Sequence, residues 1–272
     1  MKNISIYVLL LAFSLVLQVS QARAAGLALS GISQEDFDTV AREFSANSTF
    51  HPVTAPSGLG SIFGFELGVT AGATKTPDTD AIAKRTDSSA SLNTMPHAGL
   101  LAAITVPFGI TAEALVVPKI DAGDFKYSQT GLAVKLNVAD SILPISPVNI
   151  AVRGFYTKTE TSFTQTVNPV PTQTVTYDGE VMGLQAFVSP KLIPIIEPYI
   201  GVGTLKAKSK MTSGTAPIFN IGGTNTNSAE SSPSSTQFFF GADLRLLVLG
   251  LGLEYSRQFG TDSITGKFSF KF

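Results

Sequence analysis

From Ser61 to its last residue, Phe272, the chain repeats one pattern: apolar side chains at every second position, in segments near the roughly 9 to 11 residues a tilted strand needs to cross a membrane. Phe63, Phe65, Leu67, Val69 and Ala71 alternate with Gly64, Glu66, Gly68, Thr70 and Gly72. Leu132, Val134, Leu136 and Val138 alternate with Gly131, Ala133, Lys135 and Asn137. Leu249, Leu251, Leu253 and Tyr255 alternate with Gly250, Gly252, Glu254 and Ser256. A period of two puts the apolar set on one face of a strand and the small or polar set on the other.

Ten such segments are found: 61–75, 95–106, 109–117, 125–139, 148–165, 172–188, 197–210, 236–247, 249–258 and 263–272. An even number closes an antiparallel barrel with both ends on one side. The expected fold is all-β, a closed antiparallel transmembrane β-barrel of ten strands, with eight or twelve as the neighbouring even counts. Odd-numbered connections should be the long, outer ones, as 76–94 and 211–235 are, and even-numbered ones the short periplasmic turns. The stretch 211–235, rich in Ser, Thr, Asn and Gly, has no period and is expected to be mobile.

Composition agrees with a lipid-facing wall. Charged residues make up 14%, against about 25% in soluble domains, yet beyond the N-terminus no uncharged apolar stretch is long enough for a spanning helix. Only helices and closed barrels satisfy every backbone group inside a bilayer. A net charge of -1 gives no support to nucleic-acid binding. The absence of Cys excludes a disulfide scaffold and a lipidated N-terminal cysteine.

The N-terminus has Lys2, an apolar run Ile4 to Leu17, and Ala22-Arg23-Ala24, the layout of a secretory signal peptide cleaved near Ala24/Ala25. The expected division is 1–24 signal peptide, 25–60 a periplasmic segment with a short helix, and 61–272 the barrel. Ser33 and Asp36 make a capping pair before Phe37, Val40, Ala41 and Phe44, which share a helical face. The helix Gln34 to Phe44 is expected against the periplasmic rim, with a plug in the barrel mouth as the other reading.

The final segment sets Ile264, Gly266, Phe268, Phe270 and Phe272 against Thr265, Lys267, Ser269 and Lys271. It resembles the terminal strand of Gram-negative outer-membrane proteins, and the mature chain resembles the small, uncharacterised families of such barrels. Phe44-Ser45-Ala46-Asn47-Ser48-Thr49-Phe50-His51-Pro52 has the look of a family signature. The resemblance implies an outer-membrane location, contact with outer-membrane lipid, and recognition of the last strand by the barrel-assembly machinery. Trp is absent, so interface aromatics fall to Phe63, Phe65, Tyr255, Phe268, Phe270 and Phe272.

With apolar faces outward, parity turns Glu66, Glu113, Lys135, Arg153, Asp243, Arg245, Glu254 and Lys267 into the lumen. Acids and bases balance, and opposite charges are expected to pair across a narrow lumen. A two-residue turn at Val248-Leu249 and a four-residue turn at Phe259 to Asp262 would align Asp243, Glu254 and Lys267 in one row, with Arg245 one step along.

No cofactor or metal site is expected: His and Cys ligands are not clustered, and Gly250 and Gly252 belong to a strand. The chain has only two His residues. His51 precedes the first strand, and His97, below a loop carrying Asp78, Asp80, Asp87 and Ser88, is the enzymatic candidate. The reading is therefore not an enzyme but a passive transporter or narrow channel for small or apolar solutes. The alternatives are a structural or adhesive barrel with a filled lumen, and a barrel hydrolase using His97.

Overall fold

The computed structural model describes residues 30–60, 63–123, 125–138, 147–167, 170–191 and 195–272. The expected signal peptide, its cleavage point and the start of the first segment at Ser61 lie outside these residues. Ten long strands form the wall: β1 (Gly64–Lys75), β2 (Thr94–Val106), β3 (Ile110–Ala122), β4 (Phe125–Asn137), β5 (Val148–Val167), β6 (Val170–Pro190), β7 (Ile196–Ser213), β11 (Ser234–Leu246), β12 (Leu249–Gln258) and β13 (Thr261–Lys271). Three short strands, β8 (Phe219–Ile221), β9 (Thr224–Thr226) and β10 (Ser228–Ser231), lie between β7 and β11. Each long strand pairs antiparallel with its neighbours. The pairing of β1 with β13, Glu66 opposite Lys271 through Thr74 opposite Ser263, closes the cylinder.

The alternation is read out as two environments. Leu67, Leu132, Val134, Leu184, Val202 and Leu253 are each more than half exposed on the outside of the cylinder, whereas Glu66, Arg153 and Lys135 are buried inside. A continuous outward apolar belt far exceeds the patches of a few hundred Å² that soluble monomers carry, and a closed wall leaves no sheet edge. This is the architecture of an outer-membrane barrel. No helix among the described residues is long and apolar enough to cross a membrane.

The two longest connections, 76–93 and 214–233, share one end of the cylinder, and Phe272 lies at the other, its ring against Phe65. By the usual asymmetry the first end is the outer one and the second periplasmic. Both outer loops contain secondary structure, including 211–235, whose sequence has no period. The first contains a helix, α2 (Pro77–Thr86), started by Pro77 at its first position. In the second, β8 and β9 form a small hairpin, and β10 continues the ladder on β7 from Ser228 opposite Thr212. β3 also extends past the expected Val117, through Pro118 to Ala122, with a register shift on β4.

Both terminal turns depart from the expected spacing. Leu246 pairs with Leu249 and Gln258 with Thr261, so each turn has two residues. Phe259 and Gly260 both have positive φ, as a type I′ turn requires. Asp243 therefore faces Gly252, which faces Lys267, while Glu254 lies between Gly241 and Thr265. The expected row of Asp243, Glu254 and Lys267 is corrected: Glu254 moves two residues outward.

The N-terminal helix α1 (Gln34–Asn47) has the expected start. Ser33 Oγ accepts from the Asp36 amide, and Asp36 Oδ2 accepts from the Ser33 amide. It runs one turn further than expected, and its position is that of the plug in the barrel mouth and not of a helix against the periplasmic rim. It lies inside the outer half of the barrel, with Phe37, Val40, Ala41 and Phe44 in one cluster with Ile82 and Ala83 of α2, Tyr177 of β6, Met211 of β7 and Phe219 of β8. The amphipathic stripe needed an apolar partner, and inside the barrel Tyr177, Met211 and Phe219 supply it. Burying Phe37, Val40 and Phe44 contributes roughly 1.5–3 kcal/mol each.

Candidate functional site: the plugged lumen

Below α1 the chain does not leave the barrel. Residues 48–60 descend the lumen as an irregular strap that reaches the periplasmic end beside Thr105 and Arg245. Irregular backbone at membrane depth is tolerated only where its polar groups are satisfied by protein, and the wall supplies those groups. Ser48 O accepts from Gln129 Nε2 at 2.8 Å and Thr157 Oγ1 at 2.9 Å. Ala55 O accepts from Lys135 Nζ at 2.7 Å, and Thr54 O from Arg153 Nη2 at 3.2 Å. The Leu59 amide donates to Thr105 Oγ1 at 3.0 Å.

Shape completes the fit. Phe50 stacks on Phe155 with ring centroids 5.7 Å apart and fills a hollow left by Gly131, where an added Cβ would come within 2.7 Å of the Phe50 ring. A Cβ on Gly252 would come within 2.8 Å of Val53 Cγ1. Val53 itself is fully buried with φ of 52°, a conformation that costs a β-branched residue about 1–3 kcal/mol.

The structure places the eight sequence-predicted lumen charges inside the cylinder, and groups them along the wall instead of across the lumen, because the strap occupies the axis. Glu113 of β3 lies 3.1 Å from Arg153 Nε and 3.7 Å from Lys135 Nζ, and accepts from Thr54 Oγ1 at 2.8 Å. Lys267 Nζ lies 2.8 Å from Glu66 and 3.2 Å from Asp243. Arg245, half-buried at the periplasmic rim, donates to Ser57 Oγ at 2.6 Å and Gly58 O at 3.3 Å. Glu254 accepts from Tyr199 Oη at 2.9 Å.

Two charged residues were not named from the sequence. Lys271 lies 2.6 Å from Asp243, and Glu197 accepts from both the amide and hydroxyl of Ser57. Each shares the parity of an inward neighbour, Lys267 and Tyr199 respectively, and that signal was sufficient to find it. With them, acids (Glu66, Glu113, Glu197, Asp243, Glu254) and bases (Lys135, Arg153, Arg245, Lys267, Lys271) still balance.

The aromatics expected at the interface are on the outside: Phe63, Phe65 and Phe272 are exposed near the periplasmic end, Phe268 and Phe270 pack edge to face at 5.4 Å, and Tyr255 donates to Asp262 at the outer rim. The inner face is more apolar than parity implied, with Phe155, Phe163, Phe187, Tyr199, Phe239 and Leu205 turned inward.

Neither histidine is a solvated rim residue. His51 lies in the strap, and its ring stacks on His97 at 4.6 Å. His97 contacts Asn47 Oδ1 at 3.1 Å through Nδ1 and Thr265 Oγ1 at 2.8 Å through Nε2. No carboxylate is among the hydrogen-bond partners found for it in the described residues. No group of three or more His, Cys, Asp or Glu placed to hold a metal occurs among them either.

Several solved structures are similar to the chain. The attachment invasion locus protein Ail of Yersinia pestis is 10% identical, with 77% of this chain and 97% of that chain covered and a TM-score of 0.35. The translocator domain of the autotransporter NalP of Neisseria meningitidis is 10% identical, with 78% and 89% covered and a TM-score of 0.43. A FadL homologue of Pseudomonas aeruginosa is 10% identical, with 91% and 99% covered and a TM-score of 0.33. No curated protein sequence matches. The chain belongs to a family of unknown function, DUF6588, whose model matches residues 27–270.

Proposed function

We propose that this protein is a plugged outer-membrane transporter for small or apolar solutes, closed in the state described, with residues 34–60 as the displaceable element. The observation that carries this reading is the content of the lumen. It is filled by a separable stretch of chain, hung on the wall by side-chain hydrogen bonds and holding a strained residue, Val53, at its centre. Displacing the strap would release that strain and leave a balanced ring of charges, which disfavours neither sign of solute.

A second reading, a barrel filled for stability alone, is favoured by the apolar clusters around Phe44, Phe50 and Ala55. Catalysis is not part of the proposal, since His97 is engaged by Asn47 and Thr265. The terminal strand β13 is proposed as the element read during barrel assembly, and the outward belt as the surface that meets lipid.

One staple separates the two readings. The chain has no native cysteine, and the closeness of Val53 to Gly252 suits a Val53→Cys/Gly252→Cys pair. Oxidised protein in liposomes should pass no apolar fluorescent solute, and reduction should open it. Equal flux before and after reduction, or none in either, would overturn the transport reading.

A further inference from the structure

The helix in the first outer loop does not cap itself. A helix leaves the amides of its first turn without partners of its own, and the N-cap side chain commonly accepts from one of them. Thr76 holds that place before α2 but caps nothing, because its hydroxyl donates to Leu92 O on the returning arm of the loop. Pro77 has no N–H, and the Asp80 amide donates to Thr76 O at 3.1 Å. The remaining donors of that turn, the Asp78 and Thr79 amides, are taken by Glu43 of α1, through Oε1 at 3.1 Å and Oε2 at 2.8 Å.

The dependence runs both ways. Glu43 is 4% exposed, and no ion pair to it occurs among the described residues. A buried carboxylate without partners is strongly unfavourable, so Glu43 can sit in the barrel mouth only while the amides of α2 stand against it, at the positive end of that helix. In turn α2, with ten residues, is shorter than the roughly 12 to 15 an isolated helix needs in water, and α1 supports it. Arg85 in the last turn of α2 meets Asp36 in the first turn of α1 at 2.8 Å, so the helices run antiparallel and are clasped at both ends. The Arg85 pair is exposed and contributes little; the Glu43 clasp is the stronger. Between the clasps, Ile82 and Ala83 of α2 join Phe37 and Val40 of α1 in one apolar cluster. β1 ends at Lys75, two residues before α2 begins, so α2 is tied to the wall while α1 belongs to the plug.

We infer that α2 is the latch of the plug: the outer loop 76–93 holds residues 34–60 in the lumen through Glu43, and the plug is freed from outside when α2 swings away from α1. The inference rests on the transport reading and specifies its regulation. With α2 withdrawn, the Glu43 carboxylate is left unpaired and disfavours the seat of α1; with α1 withdrawn, α2 frays. The coupling is reciprocal, and whatever engages the exposed face of α2, which carries Asp78, Ala81, Lys84 and Arg85, biases it.

The test uses the full chain in liposomes, with Ser48→Cys as reporter, a near-isosteric thiol buried at the end of α1 in a chain without native cysteine. Glu43→Gln keeps the shape and removes the charge, and should speed thiol labelling of the reporter about tenfold. In a separate Asp36→Cys/Arg85→Cys form, a short bis-methanethiosulfonate joining the two helices should stop passage of an apolar fluorescent solute until reductant removes it. Reporter labelling unchanged by Glu43→Gln, or passage that continues through the cross-linked form, overturns the latch and leaves the transport reading standing. Faster labelling with no passage by any form keeps the latch and overturns transport. Hydrogen exchange of the unmodified protein is the independent check, and needs no variant to fold: the amides of 78–86 should open together with those of 37–47, and unrelated opening rates overturn the latch.

Discussion

Lys267 Nζ lies 2.8 Å from Glu66 Oε1, and both side chains are wholly buried in the lumen. Asp243, 3.2 Å from the same ammonium, and Lys271 complete the group. Replacing Lys267 by Met would leave two buried carboxylates with one cation, at a cost of about 3–5 kcal/mol. A lowered transition temperature in heat-modifiability gels checks this. The Glu66→Gln/Lys267→Met double variant should lose less than the sum of its parts.

Phe50 is the strap's largest anchor in the middle of the lumen. A Phe50→Ala variant should lose about 3–5 kcal/mol locally, seen as faster hydrogen exchange over 48–60, while the β12–β13 ladder keeps its protection. Unchanged exchange in the strap would mean that its polar bonds hold it without the ring.

Ser33 caps α1 from both sides of its first turn. Ser33→Ala should weaken the helix start by about 1 kcal/mol, read as faster exchange at Phe37 and its neighbours, with the barrel's gel mobility unaltered.

Asp80 joins α2 to the returning chain, accepting from Lys84 Nζ at 2.6 Å and from the Leu92 amide at 2.7 Å. The Lys84 hydrogen bond first, and the Leu92 amide second, hold its carboxyl below the ordinary value. A carboxyl lowered in the folded state stabilises above its unfolded pKa, and that contribution is lost as pH falls through the folded value. The Leu92 amide should therefore lose protection on acidification below about pH 4, after correction for intrinsic exchange. In Asp80→Asn the amide should be less protected at neutral pH and show no such acid step.

The wall was legible because its rule is local: a period of two is written into each segment, and Glu66, Arg153 or Lys267 could be turned inward by parity alone. Register was not legible at the terminal turns. The chain adopts positive φ at Leu247 and Phe259, positions without the Asn-Gly or Asp-Gly pair that marks a tight hairpin, and the row through Asp243 moved accordingly. The strap was missed for a different reason. Residues 48–60 have no period, and their backbone is satisfied by side chains distant in sequence, such as Arg153 and Arg245, so no local pattern records their path.

The closure of β1 on β13 has a consequence for biogenesis. β13, the tenth wall strand in chain order, pairs with the first, so the cylinder cannot close before β13 has arrived. Pushing residues 30–60 lengthwise through a finished pore would strip and rebuild each of the strap's bonds in turn. The economical sequence is the reverse: α1 and the strap settle on the concave face of a curling sheet, and the sheet then wraps them. On that order of events the cargo of the lumen is also the mould on which the wall is formed.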